Sequence, residues 1–339
     1  MRVAQLGAGR IGAIHAESLS RLLAPGELVL ADLDGDRARA LAGAVGAEAT
    51  SVEEAIADAD ALVLAASSNA HPELIRAGID RNIPVFCEKP LSISLEETRG
   101  LVEEIEASGI RFQLGFQRRF DPAYVEARRR FVAGDIGTVY LVRMAASDHA
   151  PPPEAYIPTS GKVFRDSSIH DFDAIRWMTG SEVESVYADG DARGFEMLAR
   201  HDDVGTVAVV LRMRNGILGV LGGGRHNPRG YDIRMELVGS RDSVAVGLTD
   251  RTPIVPLDAS AMSMTAGWDS FIDRFQQAYR DELRAFVKVA RGEAASACTA
   301  RDGLEAMRIA EAASRSLMER RPIDVDEIVA GEKEVEPAS

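Results

Sequence analysis

The stretch Met1-Arg2-Val3-Ala4-Gln5-Leu6-Gly7-Ala8-Gly9-Arg10-Ile11-Gly12 opens the chain and decides the fold of its first half. An apolar run ends in a Gly-x-Gly-x-x-Gly string, and a helical pattern follows at 11–23. Glycine strings are common, so the string alone is a weak signal. Between a strand and a helix it has a mechanism. Gly7 permits a tight turn, Gly9 lets the backbone approach a pyrophosphate, and Gly12 lets helix and strand pack closely. The helix start supplies unpaired N–H groups and partial positive charge to the phosphates. Asp32 lies twenty residues past Gly12, where a carboxylate accepts ribose hydroxyls and repels a 2′-phosphate. No Arg or Lys stands beside it before Arg37, which points to NAD rather than NADP.

Beyond this unit, continuously apolar runs recur at 28–32, 61–66, 84–87 and 112–115, with helical patterns at 36–45, 72–82 and 95–108. Uninterrupted apolar strands suit a parallel sheet buried on both faces. Their alternation with helices predicts a doubly wound α/β domain over residues 1–121. Around residue 120 the pattern changes. A helix at 122–132 and a strand at 138–144 lead into the loop Ala150-Pro151-Pro152-Pro153 and a short helix at 170–178. Strands then dominate, at 183–188, 206–213, 217–221, 234–238 and 243–246. Asn215-Gly216 between two of them is a hairpin signal. Two long helices, at 268–291 and 299–320, and a short strand at 322–325 close the chain. Residues 122–330 thus read as an α+β domain with a large, mostly antiparallel open sheet, and 331–339 as a polar tail. A sheet with one uncovered face predicts an oligomer.

The bulk properties limit the function classes. The 339 residues are 46% hydrophobic and 27% charged, an ordinary globular balance. A formal net charge of −14 opposes binding to nucleic acid. The basic cluster Arg118-Arg119 and Arg128-Arg129-Arg130 is expected as a solvated helix face or as internal ion pairs. No apolar run reaches the roughly 18 residues of a membrane span. The first residues lack a signal-peptide layout, so the expected compartment is the cytoplasm. The two cysteines, Cys87 and Cys298, form no Cys-x-x-Cys pair, and no metal site is expected.

Two segments carry proton-transfer chemistry. Cys87-Glu88-Lys89-Pro90 ends a central strand, where carboxyl ends face the ligand crevice. An ammonium there hydrogen-bonds a substrate hydroxyl and favours a developing alkoxide; a structural pairing of Lys89 with Glu88 is the alternative. In Phe164-Arg165-Asp166-Ser167-Ser168-Ile169-His170-Asp171-Phe172-Asp173, α-helical spacing puts Asp166, His170 and Asp173 on one face. An Asp–His pair fixes the imidazole tautomer and supports a base ionising near or above about 6.5. The alternative is a helix cap with a packed histidine. His15 reads as packing, His201 lies in an Asp-rich loop, and His149 and His226 read as pocket-lining or surface residues.

With these segments together, the chain resembles the glucose–fructose oxidoreductase/inositol dehydrogenase (Gfo/Idh/MocA) family. The resemblance rests on the glycine loop with His15, Ser68-Asn69-Ala70-His71-Pro72, Glu88-Lys89-Pro90-Leu91 and Asp166-x-x-x-His170. It leans to the inositol dehydrogenase branch through Gly115-Phe116-Gln117-Arg118-Arg119-Phe120-Asp121, the Pro-rich loop, Ile169-His170-Asp171-Phe172-Asp173 and Tyr231-Asp232-Ile233-Arg234. The resemblance implies a Rossmann domain binding NAD through Gly7, Gly9, Arg10, Ile11, Gly12, Asp32, Ser67, Asn69, His71 and Glu88. It implies Lys89, Asp166 and His170 as the catalytic set, and Gln117, Arg118, His149, Asp173, Asn227 and Tyr231 around the substrate. The implied reaction is oxidation of a secondary hydroxyl of a cyclitol or sugar to a ketone. Asp148-His149, Lys162 and Ser167-Ser168 depart from the inositol pattern, so the reaction type is better supported than any one polyol. An NAD-dependent glycoside hydrolase using transient oxidation, and a non-catalytic dinucleotide sensor, are the rival readings.

Overall fold

The computed structural model describes residues 1–257 and 265–328; the expected tail at 331–339 lies outside them. The first half alternates strand and helix: β1 (Val3–Leu6), α1 (Arg10–Leu22), β2 (Leu28–Ala31), α2 (Gly35–Val45), β3 (Glu48–Ala49), α3 (Val52–Asp58), β4 (Ala61–Leu64), α4 (His71–Asp80), β5 (Val85–Glu88), α5 (Leu95–Ser108) and β6 (Phe112–Gly115). All pairings are parallel, in the order β3-β2-β1-β4-β5-β6. β1, β2 and β4 are buried at every residue, as continuous apolar runs require of a sheet covered on both faces. This order reverses direction between β1 and β4, which sets the crevice at their carboxyl ends.

The second half contains α6 (Pro122–Val132), β7 (Val139–Ser147), a short turn of helix α7 (Ile157–Ser160), α8 (Ile169–Thr179), β8 (Val183–Asp191), a second short turn α9 (Glu196–Ala199), β9 (Thr206–Met213), β10 (Leu218–Gly224), β11 (Asp232–Gly239), β12 (Ser243–Val246), α10 (Phe271–Ala290), α11 (Ala300–Glu319) and β13 (Ile323–Asp324). Its seven strands run β12-β11-β7-β10-β9-β8-β13, antiparallel except for β7 against β10. The hairpin at Asn215-Gly216 forms, with Gly216 at φ +85°. Along β9 every second residue is buried, so Val207, Val209, Leu211 and Met213 face the helices. Gly219 on β10 lets α8 settle on the sheet, because a Cβ there would lie 2.6 Å from Ile175 Cδ1. The opposite face presents Tyr140, Tyr187, Val210, Leu218 and Val220 to solvent.

Several local features differ from expectation, the short helices α7 and α9 among them. β3 and α3 lie where none was expected; a two-residue strand carries no periodicity, yet Ser51 and Glu54 form a capping box that the sequence shows. β10 continues to Gly224 through Gly222 and Gly223, because strands on both sides hold a backbone whose own residues disfavour it. The segment Phe164–Ser168 is a π-type turn ahead of α8. That turn sets where Asp166 lies relative to His170.

Candidate active site

At the nucleotide end, Gly7 sits at φ +109°, and a Cβ on it would lie 2.5 Å from the Ala65 carbonyl at the end of β4. A Cβ on Gly12 would meet the Gly7 carbonyl oxygen at 2.2 Å. The protein's own packing requires both glycines. Gly9 differs: apart from its own neighbours along the chain, no atom of the described residues lies within 4 Å of the position its Cβ would take. It caps α1 without a side-chain hydrogen bond, so the first N–H groups of that helix have no side-chain cap. The loop thus fits a pyrophosphate on geometric grounds. Beneath it, Gln5 Nε2 donates to the carbonyls of Gly7 (3.0 Å) and Gly12 (2.7 Å), a brace the sequence reading missed. Asp32 accepts from the N–H groups of Ala8 (2.7 Å) and Asp34 (2.9 Å), tying the loop to β2. Arg37 approaches it to 3.8 Å, closer than sequence distance suggested.

The other expected cofactor residues divide. Ser67 and Asn69 are exposed on the turn after β4. Arg10 lies over the Phe271 ring at 4.9 Å, and Ile11 packs against the core of the second half. His71 is buried with its nitrogens against the carbonyls of Pro90 (2.7 Å) and Ala66 (3.2 Å), so it braces two loops and presents no free nitrogen. Burial pushes its pKa down. Glu88 pairs at 2.7 Å with His15, which therefore orients a cleft residue from below instead of merely packing.

The catalytic candidates converge from three segments. Lys89 follows β5, and its Nζ donates to the Asp166 carbonyl at 2.8 Å, with the Asp166 carboxylate at 3.7 Å. Asp166 Oδ1 accepts from the Tyr156 hydroxyl (3.0 Å), and Oδ2 accepts from Arg225 Nη1 (2.8 Å). Burial alone would raise the Asp166 pKa, but Lys89, Arg225 and the Tyr156 hydrogen bond together hold it below the usual carboxylate range. His170 lies edge-on to Phe116, ring centroids 5.7 Å apart. Its Nδ1 is buried and has no hydrogen-bond partner among the described residues.

The expected Asp166–His170 pair is therefore not formed. Residues four apart share a face only at 3.6 residues per turn, whereas the π-type turn at Phe164–Ser168 closes i→i+5 bonds and takes Asp166 off the His170 face. The consequence for the base is a reversal of sign. Burial, followed by the Lys89 and Arg118 charges, pushes the His170 pKa well below its ordinary value; no carboxylate raises it.

Asp173, expected at the substrate, instead receives a two-pronged Arg119 guanidinium at 2.6 and 2.9 Å and is fully buried. Arg118 is buried against Asp171 at 2.5 Å. The basic cluster at 118–119 thus resolves into internal ion pairs, while Arg129 is an exposed helix-face residue. Gln117 is buried beside them. Tyr231 is buried near Arg118, Asp148 and Asp171, and burial raises its pKa. Asn227 shapes its own turn, its Oδ1 accepting from the Arg229 N–H at 3.1 Å, and its N–H reaches the Asp148 carbonyl at 2.7 Å. His149 is half-buried beside Asp148. Arg225 and Tyr156 were missed: each is far in sequence from Asp166, and neither sits in a motif.

Residues 1–116 match the model of an oxidoreductase family with an NAD-binding Rossmann fold, and residues 124–245 match the GFO/IDH/MocA C-terminal domain. A myo-inositol dehydrogenase of Streptomyces leeuwenhoekii is 41% identical, covering 93% of this chain and 97% of that protein. A myo-inositol 2-dehydrogenase of Thermotoga maritima is 35% identical, covering 97% and 100%. The structure of a Lactobacillus casei scyllo-inositol dehydrogenase, with bound NAD(H) and scyllo-inositol, superposes with a TM-score of 0.85 at 26% identity, covering 96% and 99%.

Proposed function

The chain belongs to the GFO/IDH/MocA oxidoreductase family, and from that premise we propose that it oxidises a secondary ring hydroxyl of an inositol-type cyclitol to the ketone. The observation that carries this reading is the meeting of Lys89 and Asp166 at the carboxyl end of β5, with His170 near enough to feel the Lys89 charge. NAD, the cofactor of this fold, supplies the hydride acceptor. The free N–H groups at the start of α1 and the open space at Gly9 hold its phosphates, and Asp32 holds its ribose. His170, kept neutral by its surroundings, takes the proton of the ring hydroxyl. Lys89 hydrogen-bonds the same oxygen and stabilises negative charge as it develops. Asp166 holds Lys89 in place and offsets its charge.

Gln117, Arg118, His149, Asn227 and Tyr231 frame the polyol in this reading. Asp173 supports the frame through Arg119. The reading places the enzyme in the cytoplasm with NAD. Among the described residues no helix is long and apolar enough to cross a membrane. The uncovered sheet face with Tyr140, Val210, Leu218 and Val220 is the contact surface of a homodimer or homotetramer. The test is NADH formation against a panel of inositols, sugars and sugar acids. Turnover of an inositol with net NADH release supports the proposal; turnover of sugars alone, or none of the panel, contradicts it.

A further inference from the structure

Asp166 is surrounded from several sides, and the groups that surround it form a chain running back into the second half. Lys89 faces it from the end of β5, Tyr156 from the turn before α7, and Arg225 from the residue after β10. Asp148, after β7, lies 3.7 Å from the same guanidinium, and burial raises its pKa. Arg225 is nearly inaccessible, 2% exposed, which makes an incidental surface pair impossible. Behind it, Asp203 approaches at 3.8 Å. Asp203 Oδ1 also accepts from the N–H of Val163, the residue before the π-type turn, at 3.0 Å. One buried loop therefore holds both Arg225 and the start of the segment that carries Asp166.

We propose that Arg225 and Tyr156 are positioning residues for the reaction, each holding one oxygen of Asp166 so that the carboxylate stays turned toward Lys89. The inference rests on the reading of Asp166 as part of the site. The π-type turn supplies the need for it. A carboxylate removed from the His170 face has no helical neighbour to orient it, and a free carboxylate rotates about two torsions. With Oδ1 fixed by a hydroxyl and Oδ2 by a guanidinium, one rotamer remains, and it brings Oδ1 to 3.7 Å from Nζ. The positive charge of Arg225 also disfavours protonation of Asp166, so the ammonium of Lys89 keeps an ionised neighbour. Neither residue needs to touch the polyol.

A double-mutant cycle on kcat tests this, because groups that act through one another are non-additive while independent structural effects add. Arg225→Gln in the otherwise wild-type enzyme is expected to lower kcat about 10- to 100-fold, with the Kd for NADH unchanged, on the scale of losing one charge-assisted hydrogen bond. In the Asp166→Asn background the same substitution is expected to change kcat less than about twofold. Tyr156→Phe should show the same coupling with a smaller factor, and its exposed ring makes it safe for folding. If Arg225→Gln alone does not fold, the Tyr156→Phe cycle decides. An equal factor in both backgrounds, or no effect in the wild-type background, overturns the proposal. Full activity in Asp166→Asn alone would instead overturn the assignment of Asp166 to the site, an outcome read before Arg225 is altered.

Discussion

At the nucleotide end of the cleft the geometry is backbone geometry: Gly7 and Gly12 pack so closely that an added Cβ would lie 2.5 and 2.2 Å from backbone atoms, and Gln5 braces their carbonyls. At the substrate end it is electrostatic. Lys89, Asp148, Asp166, Asp203 and Arg225 lie within 4 Å of one another in sequence-distant pairs, largely shielded from water. The first kind of site is local in sequence and tolerates change only where no atom is displaced. The second is assembled by the fold, and Lys89 and Arg225 together hold the Asp166 carboxyl below its usual range. Substitutions at the two ends should therefore fail in different ways.

The largest effect belongs to the substrate end. Lys89→Ala is expected to lower kcat about 100- to 1,000-fold while NADH binding and the melting temperature hold, the scale of losing one preorganised donor. Kinetics beside an NADH titration check it; a mutant that keeps most of its kcat would show that Lys89 is structural. At the nucleotide end the glycines separate fold from ligand. Gly12→Ala should cost about 1–3 kcal/mol of stability, because its Cβ meets the Gly7 carbonyl. Gly9→Ala should leave the melting temperature unchanged and raise KM for NAD about tenfold, equivalent to about 1.4 kcal/mol. Thermal melts and cofactor saturation curves distinguish the two. If Gly9→Ala destabilises the free protein as much as Gly12→Ala does, the open space at Gly9 has been misread.

Cofactor choice should respond next. Asp32→Ser is expected to narrow the preference for NAD over NADP by about tenfold in kcat/KM, since like charge at the 2′ position is removed. A wild-type enzyme that prefers NADP would contradict the role given to Asp32, and Arg37 at 3.8 Å would be the reason. The smallest effect concerns Glu282 on α10, buried with both carboxyl oxygens lacking partners among the described residues. Burial and the nearby Glu88 raise its pKa well above the ordinary 4.5. A folded pKa above the unfolded one means the folded state holds the proton more tightly, so the stability from this group is present below 4.5 and is lost as pH rises toward the folded value. Glu282→Gln removes that loss. Its melting temperature should gain on wild type as pH increases from 5 to 9, and parallel curves would count against a protonated Glu282.

The same division explains what the sequence made legible. The strands of the first half read directly because Val3–Leu6, Leu28–Ala31 and Ala61–Leu64 are apolar at nearly every residue, a pattern that a doubly covered parallel sheet imposes. The glycine loop read directly because its whole mechanism fits within six residues. Lys89 read from its place at a strand end. The partners of Asp166 did not, since Tyr156 and Arg225 come from loops ten and 59 residues away. The Asp166–His170 spacing misled because a π-type turn has the same residues at a different angle, and no periodicity rule marks it. His15 was underread for a related reason: one buried nitrogen at 2.7 Å from Glu88 is visible only once β5 and α1 are packed together.

The central claim is that His170 serves as a base held neutral by burial and by the Lys89 and Arg118 charges, with no carboxylate paired to it. The most direct test is the pH dependence of kcat/KM for polyol oxidation in wild type and His170→Ala. A base with a depressed pKa stays neutral as the medium is acidified, so wild-type activity should hold from about pH 8 down through 6.5, the ordinary histidine value, and fall only below it. His170→Ala should lose activity and that acid limb together. A wild-type limb at or above pH 6.5, or a His170→Ala enzyme with the limb and rate of wild type, would contradict the account.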